Sequence, residues 1–462
     1  WALVSSRSMR FMLEPGDTGP DGCGPLRNVA DLAPTRPLRS PAIDAVDRFE
    51  RMLAEANVGA QADAVERLKS ALPQLDLVRA ASGAPQGPTV TPVSTDLLDR
   101  LGWVRLVERA LAHDVGAPRL SLHADGELVQ RPGLLIRRYD QFTTAAASPS
   151  ATMAALAEGV MVLVNAIDQS QPAVIELIAD LERVLVGDGS VNLYVGGRGR
   201  TGFRPHWDDH EVVIIPLWGR KAWEVREPPL AAPRKEVLAT TDADTPVHET
   251  FEVGVGQALH IPRGWPHVVT PLDPLAAHLT LGVRRLAWPE VLDRLGELSV
   301  WSPEGRGDLT VDPEQPAALG SADGELLDSL LRVIVANGGL EDARASWRAR
   351  LKSRLIGDFD SARSALVDGG LDSAYVRANY PGGFHLVAWD PDGDEVVLAG
   401  GGLRFVLAHH AVPSFARLAR GAPVAIGELC HSCSTSDRCA EELVLQLAGL
   451  GLVEFISPAE AR

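Results

Sequence analysis

The spacing of apolar positions changes character several times along the chain. Between Ala42 and Leu72, Val46, Phe49, Met52 and Leu53 recur on one stripe and Val65, Leu68 and Leu72 on the next, which predicts one or two helices. The Pro/Gly-rich linker Ala84-Pro85-Gln86-Gly87-Pro88 closes them. From about Leu97 to Asp180, helical segments alternate with short strands such as Arg119–Leu122 and Leu134–Arg138, and Asp125-Gly126 between apolar runs predicts a hairpin turn. From Val191 to Leu286 the texture becomes short β-type runs separated by Gly and Pro: Val212–Ile215, Ala222–Val225, Ala258–Ile261 and His278–Leu281. Many short, evenly spaced strands with turn residues predict a small double-sheet barrel or jelly roll.

Helical spacing returns over 287–355, through Val291, Leu295 and Leu298, then Leu326, Leu327, Leu330, Leu331 and Ile334. The last hundred residues read as a hairpin around Asp390–Asp394, helices near Ser414–Arg420, Ile426–Cys433 and Asp437–Leu450, and a strand at Leu452–Ile456. Helices combined with a strand hairpin suggest a winged-helix-like module. Residues 1–45, with Pro15-Gly16-Asp17-Thr18-Gly19-Pro20, read as an irregular arm. The expected fold class is therefore α+β. An N-terminal arm with helices occupies 1–95, the barrel 96–290, a helical region 291–355 and the winged-helix-like domain 356–462.

Composition narrows the partners. With 45% hydrophobic and 23% charged residues among 462, the chain is an ordinary globular one. A net charge of −17 sets it against a phosphate backbone or an anionic membrane, so neither nucleic acid nor membrane is an expected partner. The helix of 437–450 agrees, since Asp437, Glu441 and Glu442 outnumber Arg438 near its start. Four cysteines are too few for a secreted disulfide framework, and nothing in the sequence reads as a leader or a membrane span, so a cytoplasmic location is expected.

The chemistry concentrates in Arg204-Pro205-His206-Trp207-Asp208-Asp209-His210, Gly219-Arg220-Lys221-Ala222-Trp223 and Ile261-Pro262-Arg263-Gly264-Trp265-Pro266-His267. Residues i and i+2 of a strand share a face, so His206 and Asp208 are placed to bind one metal ion together, with a third ligand from a distant strand. Two imidazoles and a carboxylate on one face of an octahedron leave three positions open, as non-haem Fe(II) requires to hold a cosubstrate and O2. His123-Ala124-Asp125 has the same spacing, but Gly126 makes Asp125 a turn residue and no partner motif follows. Lys221 lies fifteen residues after His206, at the start of a β-type run, where a cosubstrate dicarboxylate needs a fixed cation. Only four lysines occur in the chain, which makes that position informative.

Over about Val191–Val283 these motifs, with Asn192-Leu193-Tyr194 and His278-Leu279-Thr280, resemble the JmjC-type cupins of the Fe(II) and 2-oxoglutarate-dependent oxygenases, most closely the bacterial ribosomal oxygenase branch. The resemblance implies a double-stranded β-helix followed by a helical dimerisation region and a winged helix. It implies Fe(II) on His206, Asp208 and His267, Lys221 on the C5 carboxylate of 2-oxoglutarate, and Asn192 and Thr280 as weaker candidates for the cosubstrate's other end. It further implies a homodimer that hydroxylates an amino-acid side chain of a protein or peptide, ribosomal or otherwise basic, with O2 consumed and succinate and CO2 released. Two departures stand out: Pro216 replaces a usually polar residue, and Ala276-Ala277 precede His278 where a hydroxyl residue is common. A hydroxylase of a small metabolite or peptide natural product, a metal-binding cupin scaffold without turnover, and a metal-dependent enzyme without cosubstrate are the alternatives.

Three further signals bear on the site and the C-terminus. Trp207, Trp218, Trp223 and Trp265 are candidates to wall the pocket, and Asp209 and Glu211 to make its mouth acidic toward a basic substrate. Cys430, Cys433 and Cys439, with His409 or His410, have zinc-like spacing without a second clean Cys pair. Buried core cysteines on adjacent helices, or a disulfide, are the more expected reading.

Overall fold

A computed structural model describes residues 58–75, 87–102, 106, 119–130, 135–137, 145–169, 171–197, 200–227, 229–235, 245–300 and segments within 304–349 and 374–461. The expected arm over 1–45, the turn at 390–394 and the side chains of Cys430, Cys433, Cys439, His409 and His410 lie outside the described residues.

The first half carries strands β1 (Thr89–Pro92), β2 (Leu120–Ala124), β3 (Glu127–Leu128), β4 (Leu135–Arg137), β5 (Ala145–Ala147), β6 (Met161–Val164), β7 (Gly187–Gly197), β8 (Glu211–Trp218), β9 (Lys221–Arg226), β10 (Val247–Val253), β11 (Gln257–Ile261), β12 (His267–Pro271) and β13 (Leu275–Arg285). Helix α1 runs over 58–71, followed by α2 (Thr95–Leu101), α3 (Pro149–Ala157) and α4 (Pro172–Leu185). An eight-stranded sheet in the order β1-β11-β8-β13-β7-β6-β2-β3 faces a three-stranded sheet, β10-β9-β12. Every pairing within both is antiparallel.

Period-two alternation divides the strands between two cores. Val191, Leu193 and Val195 of β7, Val213 and Ile215 of β8, and Leu279 and Leu281 of β13 pack outward under Leu68 and Leu72 of α1, Leu97 of α2 and Ile178 and Leu181 of α4. The intervening positions face the barrel interior, where Val212, Ile214, Trp223, Val225, Leu259, Ile261 and Trp265 form a second core between the sheets. Burying aliphatic side chains on the outer face fixes the register, because a one-residue slip would turn all of them inward. Arg67 clamps α1 to α4 through a bidentate pair with Asp180, at 2.8 and 2.7 Å.

The barrel thus begins before residue 96. β1 pairs with β11 in the large sheet, Thr89 opposite His260, and α1 shares the outer core. Helix α5 (Trp288–Ser299) crosses the expected boundary at 290, and α6 (Ser321–Ala336) and α7 (Gly339–Ala349) follow the short hairpin β14 (Val311–Asp312) and β15 (Gln315–Leu319). The C-terminal part holds more strand than the spacing suggests. A meander of β16 (Tyr375–Ala378) excluded, β17 (His385–Trp389), β18 (Glu395–Gly400) and β19 (Leu403–Ala408) form one three-stranded sheet. β16 instead lies between β20 (Val424–Ala425) and β21 (Val453–Ile456), near helices α8 (Val412–Ala419) and α9 (Ile426–His431).

The chain passes from the large sheet to the small one at Trp218-Gly219-Arg220, just before Lys221. Gly219 has φ +62°, and a Cβ there would run into the carbonyl oxygen of Leu275. The same corner is tied by Arg220 N–H to Asp273 at 2.8 Å and Leu272 N–H to the Arg220 carbonyl at 3.0 Å. Gly219→Ala is therefore expected to lower stability by about 2 kcal/mol, read from chemical denaturation, because a backbone oxygen cannot move aside cheaply.

Candidate metal centre and its cavity

His206 does not belong to a regular strand. It forms an isolated antiparallel bridge with His267, the first residue of β12: His206 N–H donates to the His267 carbonyl at 3.0 Å, and His267 N–H to that of His206 at 2.7 Å. Asp208 follows in irregular backbone just ahead of a bend at Asp209-His210, its carbonyl accepting from Gly264 N–H at 2.8 Å. The i, i+2 expectation thus brings the two side chains together, but through a bridge and irregular backbone rather than a shared strand face. Ligand atoms of His206, Asp208 and His267 lie within 4.8 Å of one another.

The backbone also selects the imidazole tautomers. Nδ1 of His206 lies 3.0 Å from the Arg204 carbonyl, and Nδ1 of His267 lies 3.0 Å from that of Trp265. A carbonyl only accepts, so both Nδ1 atoms carry the proton and both Nε2 lone pairs remain for a metal. Burial, aided by neighbouring His206, pushes His267 down to about 4, which keeps its ring neutral. Burial would raise the Asp208 carboxyl, but His210, His267, His206 and Lys235 together hold it well below the usual carboxylate range. Its two oxygens are separated in role: Oδ2 lies 3.8 Å from His267 Nε2, and Oδ1 pairs with Lys235 Nζ at 3.3 Å. Two neutral imidazoles and an ionised carboxylate converging at this spacing fit a divalent transition ion.

The triad stands at a cavity with about 610 Å³ of unfilled space, partly open to solvent. Lys221, Thr280, Tyr194, Trp223 and His278 line it. Lys221 is buried, and among the described residues its Nζ reaches only the Tyr194 carbonyl, at 3.4 Å. Among the described residues no carboxylate pairs with it, and burial pushes it down to about 7. Tyr194 is pushed up to about 12 by burial and by Asp208, so its phenol keeps its proton.

Other sequence candidates take different places. Asn192 uses its amide oxygen on Ala166 N–H at 3.1 Å and its side chain also bonds that of Tyr194, so it reaches the cavity only through the tyrosine. Of the four tryptophans, Trp223 lines the cavity, Trp207 and Trp265 are buried, and Trp218 is 45% exposed. Glu211 is not at the mouth. It has the parity of Val213 on β8, faces the outer core and pairs with buried His260 at 3.1 Å. Asp209 is taken up by His210 at 3.1 Å. His123 contacts Ser121 Oγ at 3.0 Å and the Phe203 ring, while Asp125, at φ +52°, makes the expected turn. Tyr194, Lys235 and His278 escaped the site reading of the sequence. Tyr194 and His278 share the parity of Asn192 and Thr280, a usable signal, whereas Lys235 reaches Asp208 by a loop path that no period reveals.

Residues 167–291 match the family model described as the JmjC domain. Over that stretch the chain is similar to the JmjC domain. It is 26% identical over 189 residues to the bifunctional lysine-specific demethylase and histidyl-hydroxylase NO66 of Drosophila persimilis, covering 40% of this chain and 25% of that protein. It is 31% identical over 134 residues to ribosomal oxygenase 1 of Homo sapiens, covering 27% of this chain and 20% of that protein. The chain therefore spans about a quarter of the length of the curated relatives it matches. Among solved structures, E. coli ycfD is similar at 18% identity with a TM-score of 0.48, over 80% of this chain and 94% of that one. No helix among the described residues is long and apolar enough to cross a membrane.

Lys221 generates a stability prediction with a definite sign. In the unfolded chain the lysine holds its proton up to about 10.5, whereas in the fold it releases it near 7. Between these values the unfolded state binds more protons, so this group's contribution to stability rises with pH, and its burial penalty is complete below 7. Lys221→Met should thus stabilise the ligand-free protein at pH 6 and lose that gain toward pH 10, as urea denaturation at the two pH values would record.

Proposed function

We propose that the protein is an Fe(II)- and 2-oxoglutarate-dependent oxygenase that hydroxylates an amino-acid side chain within a protein or peptide, releasing succinate and CO2. The observation that carries this reading is the convergence of His206, Asp208 and His267 at one cavity with a buried lysine that has no acidic partner among the described residues. A metal triad alone suits many cupins. A buried ammonium beside it adds a demand for an anion, which the distal carboxylate of 2-oxoglutarate meets.

In this reading Nε2 of His206 and His267 and one oxygen of Asp208 hold Fe(II), which with O2 and 2-oxoglutarate supplies the oxidising chemistry. Lys221 receives the C5 carboxylate, and Thr280 offers a hydroxyl to the cosubstrate. Asn192 acts through Tyr194. Trp223, Val269 and Pro271 give the cavity apolar walls, which limit water around the reacting groups. Arg204 and Trp265 serve through their carbonyls, holding each imidazole with its lone pair toward the ion. A protein substrate is supported by the names of the relatives, a histidyl-hydroxylase and a ribosomal oxygenase, and the cytoplasmic assignment by the cysteine usage.

The proposal extends to assembly. Helix α6 exposes Leu326, Leu327, Val333 and Val335, none of its described residues is buried, and α5 exposes Trp288 and Leu292. So much apolar surface on adjoining helices suits a second copy of the chain, and we assign residues 291–355 to dimerisation. The order β16, α8, β20, α9, β21 supports a winged-helix-like C-terminal domain within 356–462, here joined by the β17–β19 meander.

Two measurements test these assignments. Wild type supplied with Fe(II), O2 and 2-oxoglutarate should form succinate and add 16 Da to a substrate peptide, on the order of one oxygen atom; Asp208→Ala should abolish both, and Lys221→Met should raise the 2-oxoglutarate requirement at least ~10-fold. Succinate formation that ignores Asp208→Ala would refute the metal assignment. For assembly, light scattering should give twice the chain mass, falling to a single mass in Leu327→Glu/Val333→Glu.

A further inference from the structure

His278 is the least explained group in the cavity. It is 4% exposed, yet its Nδ1 has no hydrogen-bond partner. Its position is tightly defined. Antiparallel pairing sets it opposite Tyr194 of β7 and Pro216 of β8. The Tyr194 ring stacks on it at 5.0 Å and 6°, and Trp223 meets it edge-on at 5.1 Å and 74°. Two aromatic contacts at right angles hold an imidazole in one plane without using either nitrogen. Buried polar atoms are rarely left unpaired, and the residue that carries this one lines the cavity, so the cavity is where a partner would arrive.

The chemistry of that partner follows from the surroundings. Burial and the nearby Lys221 charge push His278 well below its ordinary value, so the ring is neutral and offers one N–H donor. Lys221 and Thr280 line the same cavity, whereas Pro216 has no N–H and Ala276 no polar side chain. Tyr194 is already engaged by Asn192. Besides the Thr280 hydroxyl, the polar atoms offered to a ligand at this end are an ammonium and an imidazole N–H. These two both donate, and together they match the two oxygens of one carboxylate.

We propose that His278 is a second binding residue for the C5 carboxylate of 2-oxoglutarate, sharing it with Lys221 in place of the polar groups missing at Pro216 and Ala276. This rests on the cosubstrate reading above. One carboxylate oxygen accepts from Lys221 and the other from His278, so the orphan nitrogen and the unpaired ammonium are satisfied by the same ligand.

Binding of 2-oxoglutarate to the full-length, Mn(II)-loaded protein, measured by calorimetry beside 2-oxopentanoate, which carries a methyl in place of the distal carboxylate, tests the assignment. His278→Phe keeps a stacked ring but no N–H. It should weaken 2-oxoglutarate about 10- to 100-fold and leave Mn(II) and 2-oxopentanoate binding unchanged. His278→Gln, which retains an N–H, should recover part of the loss. Should the Phe variant fail to fold, His278→Met against His278→Gln gives the same comparison. Wild-type affinity in the variant lacking the N–H, or an equal loss for both ligands, overturns the role of His278 and leaves the cosubstrate reading intact. Wild type that binds Mn(II) but no 2-oxoglutarate overturns the cosubstrate reading and the proposal with it.

Discussion

A pair of backbone hydrogen bonds between His206 and His267 holds the site together. The two residues are sixty-one positions apart in sequence, and reciprocal N–H to carbonyl bonds at 3.0 and 2.7 Å place their rings 4.5 Å apart. Because β12 pairs with β9, the bridge also ties the segment carrying Asp208 to the strand carrying Lys221. Each imidazole then spends its second nitrogen on a carbonyl two residues away. Ring position, tautomer and lone-pair direction all derive from main-chain geometry, which side-chain substitutions elsewhere disturb little.

The cavity holds this arrangement at an energetic cost. A buried lysine without a counter-ion among the described residues, a buried histidine with an orphan nitrogen and a carboxylate held ionised among histidines are each unfavourable in isolation. They persist because the surrounding sheets are over-determined. The outer core under α1 to α4 fixes the register of β7, β8 and β13 independently of the interior. Buried polar groups reinforce it: Asp168 accepts from Val191 N–H at 2.9 Å and Glu182 from Gly189 N–H at 2.8 Å. The layer that stabilises the fold is thus separate from the layer that prepares the site, and the strands link them by alternation.

The mouth adds a further element. The segment from Leu230 to Lys235 crosses beside the triad, with Leu230 N–H on the Gly264 carbonyl at 2.9 Å and Arg234 paired with Glu290 of α5 at 3.0 Å. Gly264, at φ +87°, bonds Asp208 on its other side and could not carry a Cβ, which would meet the Leu230 carbonyl at 2.6 Å. Lys235 at its end reaches the Asp208 oxygen turned away from His267. The carboxylate is in this way held from both sides.

By itself the sequence determined the strand-rich region of Val191–Leu286, the turn at Asp125-Gly126, the pairing of His206 with Asp208 and the singular position of Lys221, while His267 entered as the third ligand only through the family resemblance. These are local or periodic features: alternation, turn chemistry and short motifs survive without knowledge of partners. Only the tertiary structure decided which face each strand turned inward. That choice sent Glu211 to His260 in the outer core, left Trp218 exposed while Trp223 entered the cavity, and put Asn192 behind Tyr194. It also brought β1 into the barrel and His278 beside Lys221. Such placements depend on register between strands distant in sequence, set by the summed burial of the opposite faces, and no single segment contains that information.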